Sequence, residues 1–149
     1  MEVHLLQTEI NTKPTTLISL LDASLMAKTK NNKAIVGVLK RQETNISPDN
    51  IIYNPEFIDF FHKTIVAFSA FVTGVNPIST NGFMYVIDER SKTPESPLQE
   101  DIIGSFEVIA GVINNESYVP NVHYRLISAN GVFQLPKQME KVLLAALLA

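Results

Sequence analysis

The sequence predicts an α+β domain, with a largely antiparallel sheet of about five strands and about three helices packed mainly on one face. Three observations predict it. Apolar residues recur at helical spacing in three separate stretches, near residues 17–25, 57–72 and 139–147. Short β-branched or alternating runs lie between and after them. From residue 83 onward, strand-like runs follow one another with turns between them, so the sheet there forms an antiparallel meander. The chain has 149 residues, which suits one domain spanning 1–149. At 46% hydrophobic and 18% charged residues it is too apolar for a disordered chain.

Each element follows from local chemistry. Glu2 to Glu9 is short and mixed and reads as an edge strand. Pro14 sits where a first helical residue tolerates a missing N–H, and Leu17, Leu21 and Leu25 follow on one helical face, so a helix is expected there, fading at Thr29 to Asn32. Ala34 to Leu39 is apolar on both faces and reads as an interior strand, with Gly37 marking a bulge or a close neighbour. Arg41 to Asn54 is polar, carries Pro48, and reads as a loop. Asn54-Pro55-Glu56 then supplies a cap, a proline and an acid for a helix start. Phe57, Phe61, Ile65, Phe68 and Val72 form its buried stripe, widened by Ile58, Phe60 and Phe71, and Gly74 is the expected stop.

Asn81-Gly82 marks a turn into the strand Phe83 to Ile87. Ser91 to Gln99, with Pro94 and Pro97, is a loop. Ile102 to Ile109 is a strand, with Gly104, Phe106 and Val108 on one face and Ile103, Ser105 and Glu107 on the other. Ala110-Gly111 and Asn114-Asn115-Glu116 read as turns, and Val122 to Ile127 as an alternating strand. Asn130-Gly131 is a hairpin signal returning through Val132 to Leu135, and Pro136 opens a last helix on which Met139, Leu143 and Leu147 face one way, with Val142 and Ala146 beside them.

Composition narrows the function. Twelve basic and fifteen acidic residues give a net charge of −3, which argues against nucleic-acid binding. A run from Lys28 to Arg41 is basic but holds no aromatic residue to stack a base. Residues 76–121 carry seven acids against two bases and form an acidic region that is mostly loop. Cysteine is absent, which removes disulfides and thiolate chemistry. The start has no basic segment followed by a sustained apolar one, and no stretch reaches the ~20 apolar residues of a membrane span, so a cytoplasmic protein off the membrane is expected.

No phosphate-cradling glycine loop and no nucleophile elbow occur, and the three histidines, at 4, 62 and 123, share no metal-binding spacing, so no cofactor and no metal are expected. His62 reads as a boundary residue hydrogen-bonded to something nearby. Asp88-Glu89-Arg90 closes a hydrophobic strand, Glu100-Asp101 opens the next, and His123 shares a strand face with Arg125. Asp88, Glu89, Arg90, His123 and Arg125 are therefore the candidate lining of a small-ligand or acid–base site between sheet and helix. The plainer reading is a solvated acidic rim with salt bridges.

The strongest interaction signal is the tail. Every position from Val142 to Ala149 is apolar, more than one helix face needs. Val142, Leu143, Leu144, Leu147 and Leu148 are the candidate interface, and a homodimer is the simplest partner. The leading expectation is a non-enzymatic binding or assembly module that self-associates through apolar surface. The alternative is a small enzyme or ligand binder.

Overall fold

The computed structural model describes residues 1–41, 45–72 and 81–149, without the side chains of 69–72. The expected stop at Gly74 and the side chains of Phe71 and Val72 lie outside that description. The fold is α+β, as expected, with three α-helices and antiparallel strands among the described residues. Those strands form three sheets, of four, three and two members, so the expected about five is approximate, the largest sheet having four.

The first sheet runs β1 (His4–Ile10), β2 (Lys13–Ser19), β3 (Ile35–Leu39), β4 (Ile51–Tyr53), each paired antiparallel to the next. The helix expected from Pro14 is replaced by β2 and a short α1 (Ala23–Thr29). Two local features override the leucine spacing. Asn11 and Thr12 both adopt positive φ, which makes the two-residue turn of a β-hairpin and places Ile10 opposite Lys13. Asp22 caps α1 by accepting the Leu25 N–H at 2.8 Å, so the helix begins where the leucine pattern is half finished. Thr16 and Ile18 of β2 are buried at alternate positions. Pro14 is tolerated because β3 pairs only with Leu17–Ser19, leaving that stretch of β2 a single ladder neighbour.

β3 stands as expected, and Gly37 has the close neighbour: a Cβ there would lie 2.4 Å from the Ile52 carbonyl oxygen. That neighbour is β4, which the polar 41–54 stretch conceals. α2 (Pro55–Val72) begins at the expected cap, with Asn54 Oδ1 accepting the Glu56 N–H at 3.2 Å. Phe57, Phe61, Ile65 and Phe68 of α2 are buried.

The second sheet is β5 (Gly82–Ile87), β6 (Ile102–Ile109), β7 (Val112–Pro120). Ala110 and Gly111, both at positive φ, join β6 to β7. The turn expected at 114–116 is instead a bulge within β7: Glu107 pairs with Asn114 but Ser105 with Val119. Ser117 Oγ sits in the gap, accepting the Glu107 N–H at 2.7 Å and donating to the Asn114 carbonyl at 2.6 Å. The strand expected over 122–127 does not form. β7 ends at Pro120 and Asn121 turns the chain, its side-chain amide donating to the carbonyls of Gln99 and Ile102 at 2.8 Å each.

β8 (Ile127–Ser128) and β9 (Gly131–Val132) make the expected hairpin at Asn130-Gly131, and α3 (Lys137–Leu148) follows Pro136. Met139, Leu143 and Leu147 of α3 are buried, and the Asn31 side chain donates to the Leu147 carbonyl at 3.0 Å. α2 packs on α3, β3 and β7. One hydrophobic cluster takes residues from both larger sheets, α2 and α3.

Candidate functional site

The end of β5 meets the start of β6 around a buried guanidinium. Arg90 uses all five of its N–H donors on the chain itself. Nε donates to Asp101 Oδ1 at 2.9 Å, Nη1 to the carbonyls of Leu126 and Gly131 at 3.0 Å each, and Nη2 to those of Glu100, at 3.1 Å, and Arg125. Asp88 is equally engaged. Its Oδ1 accepts the N–H groups of Arg90 and Gln134, at 3.0 and 2.9 Å, and its Oδ2 accepts the Tyr124 hydroxyl at 2.8 Å. The Tyr124 ring stacks on Phe61, and the Arg90 guanidinium carbon lies 5.6 Å from its centroid. Burial, then the neighbouring Asp88 carboxylate, pushes the Tyr124 phenol well above its ordinary pKa, so it stays a donor. This cluster ties β5, β6, the 121–126 segment and the β8–β9 hairpin together.

The five expected ligand residues therefore do not meet around one cavity. Asp88 and Arg90 are buried in the clamp, whereas Glu89, His123 and Arg125 are exposed. Of the four carboxylates at these strand ends, Asp88 and Asp101 converge on Arg90. Glu100 instead lines a recess of about 640 Å³ with His123 and Arg125. Among the described residues, no group of three His, Asp or Glu is placed to hold a metal ion, and no helix is long and apolar enough to cross a membrane.

The expected interface also divides. Leu143 and Leu147 are fully buried in this chain's own core, Leu144 is half-buried, and Val142 and Leu148 are exposed. A larger apolar surface lies on the outer face of the second sheet. The pairings Tyr85–Ser105–Val119, Phe83–Glu107–Asn114 and Ile109–Val112 put these side chains on one face. Phe83, Tyr85, Ile109, Val112 and Val119 on it are each 53–66% exposed. Sequence reasoning placed Phe83 and Tyr85 on a strand apolar on both faces and missed that only Met84 and Val86 would find the core.

A second polar pair was half legible. His62 on α2 has its partner in Tyr118 of β7, with Nδ1 2.7 Å from the phenolic oxygen. A Cβ at Gly104 would come within 2.5 Å of that oxygen, so glycine there makes room for the phenol. Burial lowers the His62 pKa, against a smaller opposing effect of Asp59, and raises that of Tyr118. No protein-family model matches the chain, and no curated protein or solved structure shows significant similarity to it.

Proposed function

We propose that the chain is a non-enzymatic binding and assembly module that pairs with a second copy of itself through the outer face of the β5–β7 sheet. The supporting observation is the row of five exposed apolar side chains fixed on that face by register. Together they present on the order of 500 Å², shared on that face with Ser105, Glu107 and Asn114, against the ~300–600 Å² of a monomer's largest patch, which is often functional. Two such faces in isologous contact bury about 1,000 Å², where specific interfaces begin. The groove of about 460 Å³ at the end of the face, lined by Tyr85, Ser105 and Val119, has room for an aromatic side chain from the second copy. The exposed Val142 and Leu148 of α3 are a smaller surface. We place the module in the cytoplasm; among the described residues no helix is long and apolar enough to cross a membrane.

Sedimentation velocity tests the reading. The expected result is a dimer at micromolar concentration that Phe83→Ser with Tyr85→Ser converts to monomer, while Val142→Ser with Leu148→Ser does not. A monomer at high micromolar concentration contradicts it. The alternative, small-ligand binding, is supported by the recess that Glu100, His123 and Arg125 share. Titration with succinate, followed at the His123 ring by NMR, tests it, and an unmoved ring removes it.

A further inference from the structure

A cavity of about 550 Å³ lies between α2 and the 120–126 segment. Its size is that of a small-molecule site. Ile58, Phe61, Pro120, Val122 and Leu126 give it apolar walls. Most of its polar lining already has partners. The Tyr53 hydroxyl accepts the Ile127 N–H at 3.2 Å and donates to the Ile127 carbonyl at 3.4 Å. The Asn121 amide is held by Gln99, Ile102 and the His123 N–H, at 2.8, 2.8 and 3.1 Å. Asp59 pairs with Lys63 at 2.8 Å.

His62 is the exception. Its Nδ1 is bound to Tyr118, which is not among the lining residues, and its Nε2 has no hydrogen-bond partner among the described residues. The Tyr118 phenol, kept protonated by burial, has His62 as its hydroxyl partner. With that O–H donating to Nδ1, the ring proton would sit on Nε2. In that tautomer the cavity would hold one N–H donor among apolar walls.

We propose that this cavity binds a neutral, largely apolar molecule carrying one hydrogen-bond acceptor, such as a ketone, ester or amide carbonyl, held by His62 Nε2–H. The neutral imidazole offers an anion no charge, and the Asp59 carboxylate among the lining residues is already paired with Lys63. The inference is independent of the assembly reading. Gly104 and Tyr118 are positioning residues, since they set the ring's tautomer without lining the cavity.

Prodan, a neutral naphthyl ketone dye, is a suitable probe, with the anionic naphthalene sulfonate ANS as its counterpart. The expected result is saturable prodan binding at one site per chain and weaker ANS binding. His62→Phe should weaken prodan about tenfold, the worth of one hydrogen bond. Val122→Trp, at a 90% exposed position the fold tolerates, should block the cavity and abolish binding. Tyr118→Phe should weaken prodan several-fold and turn the His62 ¹⁵N pattern from the Nε2–H tautomer to a mixture. Absence of saturable binding overturns the proposal, as does equal affinity in His62→Phe, or an Nδ1–H tautomer in the unmutated protein. Loss of prodan binding in Phe83→Ser with Tyr85→Ser also overturns it, because the dye would then be reporting the sheet face.

Discussion

Replacing Arg90 with methionine should be among the most damaging single changes in this chain. The substitution keeps much of the aliphatic stem but removes five donors. Asp88 and Asp101, both within 1% of full burial, are then left as uncompensated carboxylates. Breaking a buried ion pair from one side costs about 3–5 kcal/mol. The carbonyls of Leu126 and Glu100 keep a second partner, in the N–H groups of Phe133 and Arg125. Those of Gly131 and Arg125 lose the guanidinium, which adds about 1 kcal/mol or more for each that water does not reach. A loss near 4–5 kcal/mol takes a large share of the ~5–15 kcal/mol that holds a domain together. With a urea slope of about 2 kcal/mol per molar, the midpoint should fall by about 2 M. Urea titration followed by circular dichroism measures it. Asp101→Asn, which keeps the shape and one acceptor, should cost less. A midpoint shift in Arg90→Met below about 0.5 M would refute the reasoning and return Arg90 to the list of groups free to meet a ligand.

Other expectations follow from packing and titration. Leu143→Ala and Leu147→Ala should each cost about 2–5 kcal/mol in denaturant melts, whereas Leu148→Ala should stay within about 0.5 kcal/mol. Gly104→Ala should cost about 1–3 kcal/mol, because the new methyl displaces Tyr118, and should remove the His62–Tyr118 hydrogen bond seen by NMR. The His62 pKa is lower folded than unfolded, so its contribution is fully present above about pH 6.5 and is lost as pH falls through the folded value. Thermal melts across that range should show the decline, and His62→Gln should flatten it. Tyr53, Tyr118 and Tyr124 are raised in the fold, so their contribution is complete below about pH 10 and is lost as pH climbs past it.

What the sequence revealed depended on how local the determining interaction was. The Asn54-Pro55-Glu56 start and the phenylalanine stripe of α2 were legible because cap and periodicity lie in one continuous stretch. The Asn130-Gly131 hairpin was legible for the same reason, whereas Gly37 signalled a bulge or a close neighbour without showing that the neighbour was β4. The leucines at 17, 21 and 25 misled because a strand end and a capped helix start share a spacing that one helix would also produce. The deciding residues were Asn11, Thr12 and Asp22, whose positive φ and side-chain cap outweigh an apolar period. β4 was hidden because its three residues form a strand only through pairing with β3. The site was legible as residue types but not as partners. Asp88 and Arg90 were singled out as polar groups at a strand end, but as the lining of a ligand site and not as partners of one another. That they would satisfy one another depended on carbonyls 35–41 residues distant along the chain.

Hydrogen–deuterium exchange measured from low to high micromolar protein tests the assembly reading most directly. Pairing through the outer sheet face should slow exchange in 82–87 and 112–120 as concentration rises, with 137–148 unchanged. Concentration-independent exchange in the β5 and β7 peptides, or new protection confined to α3, would contradict it.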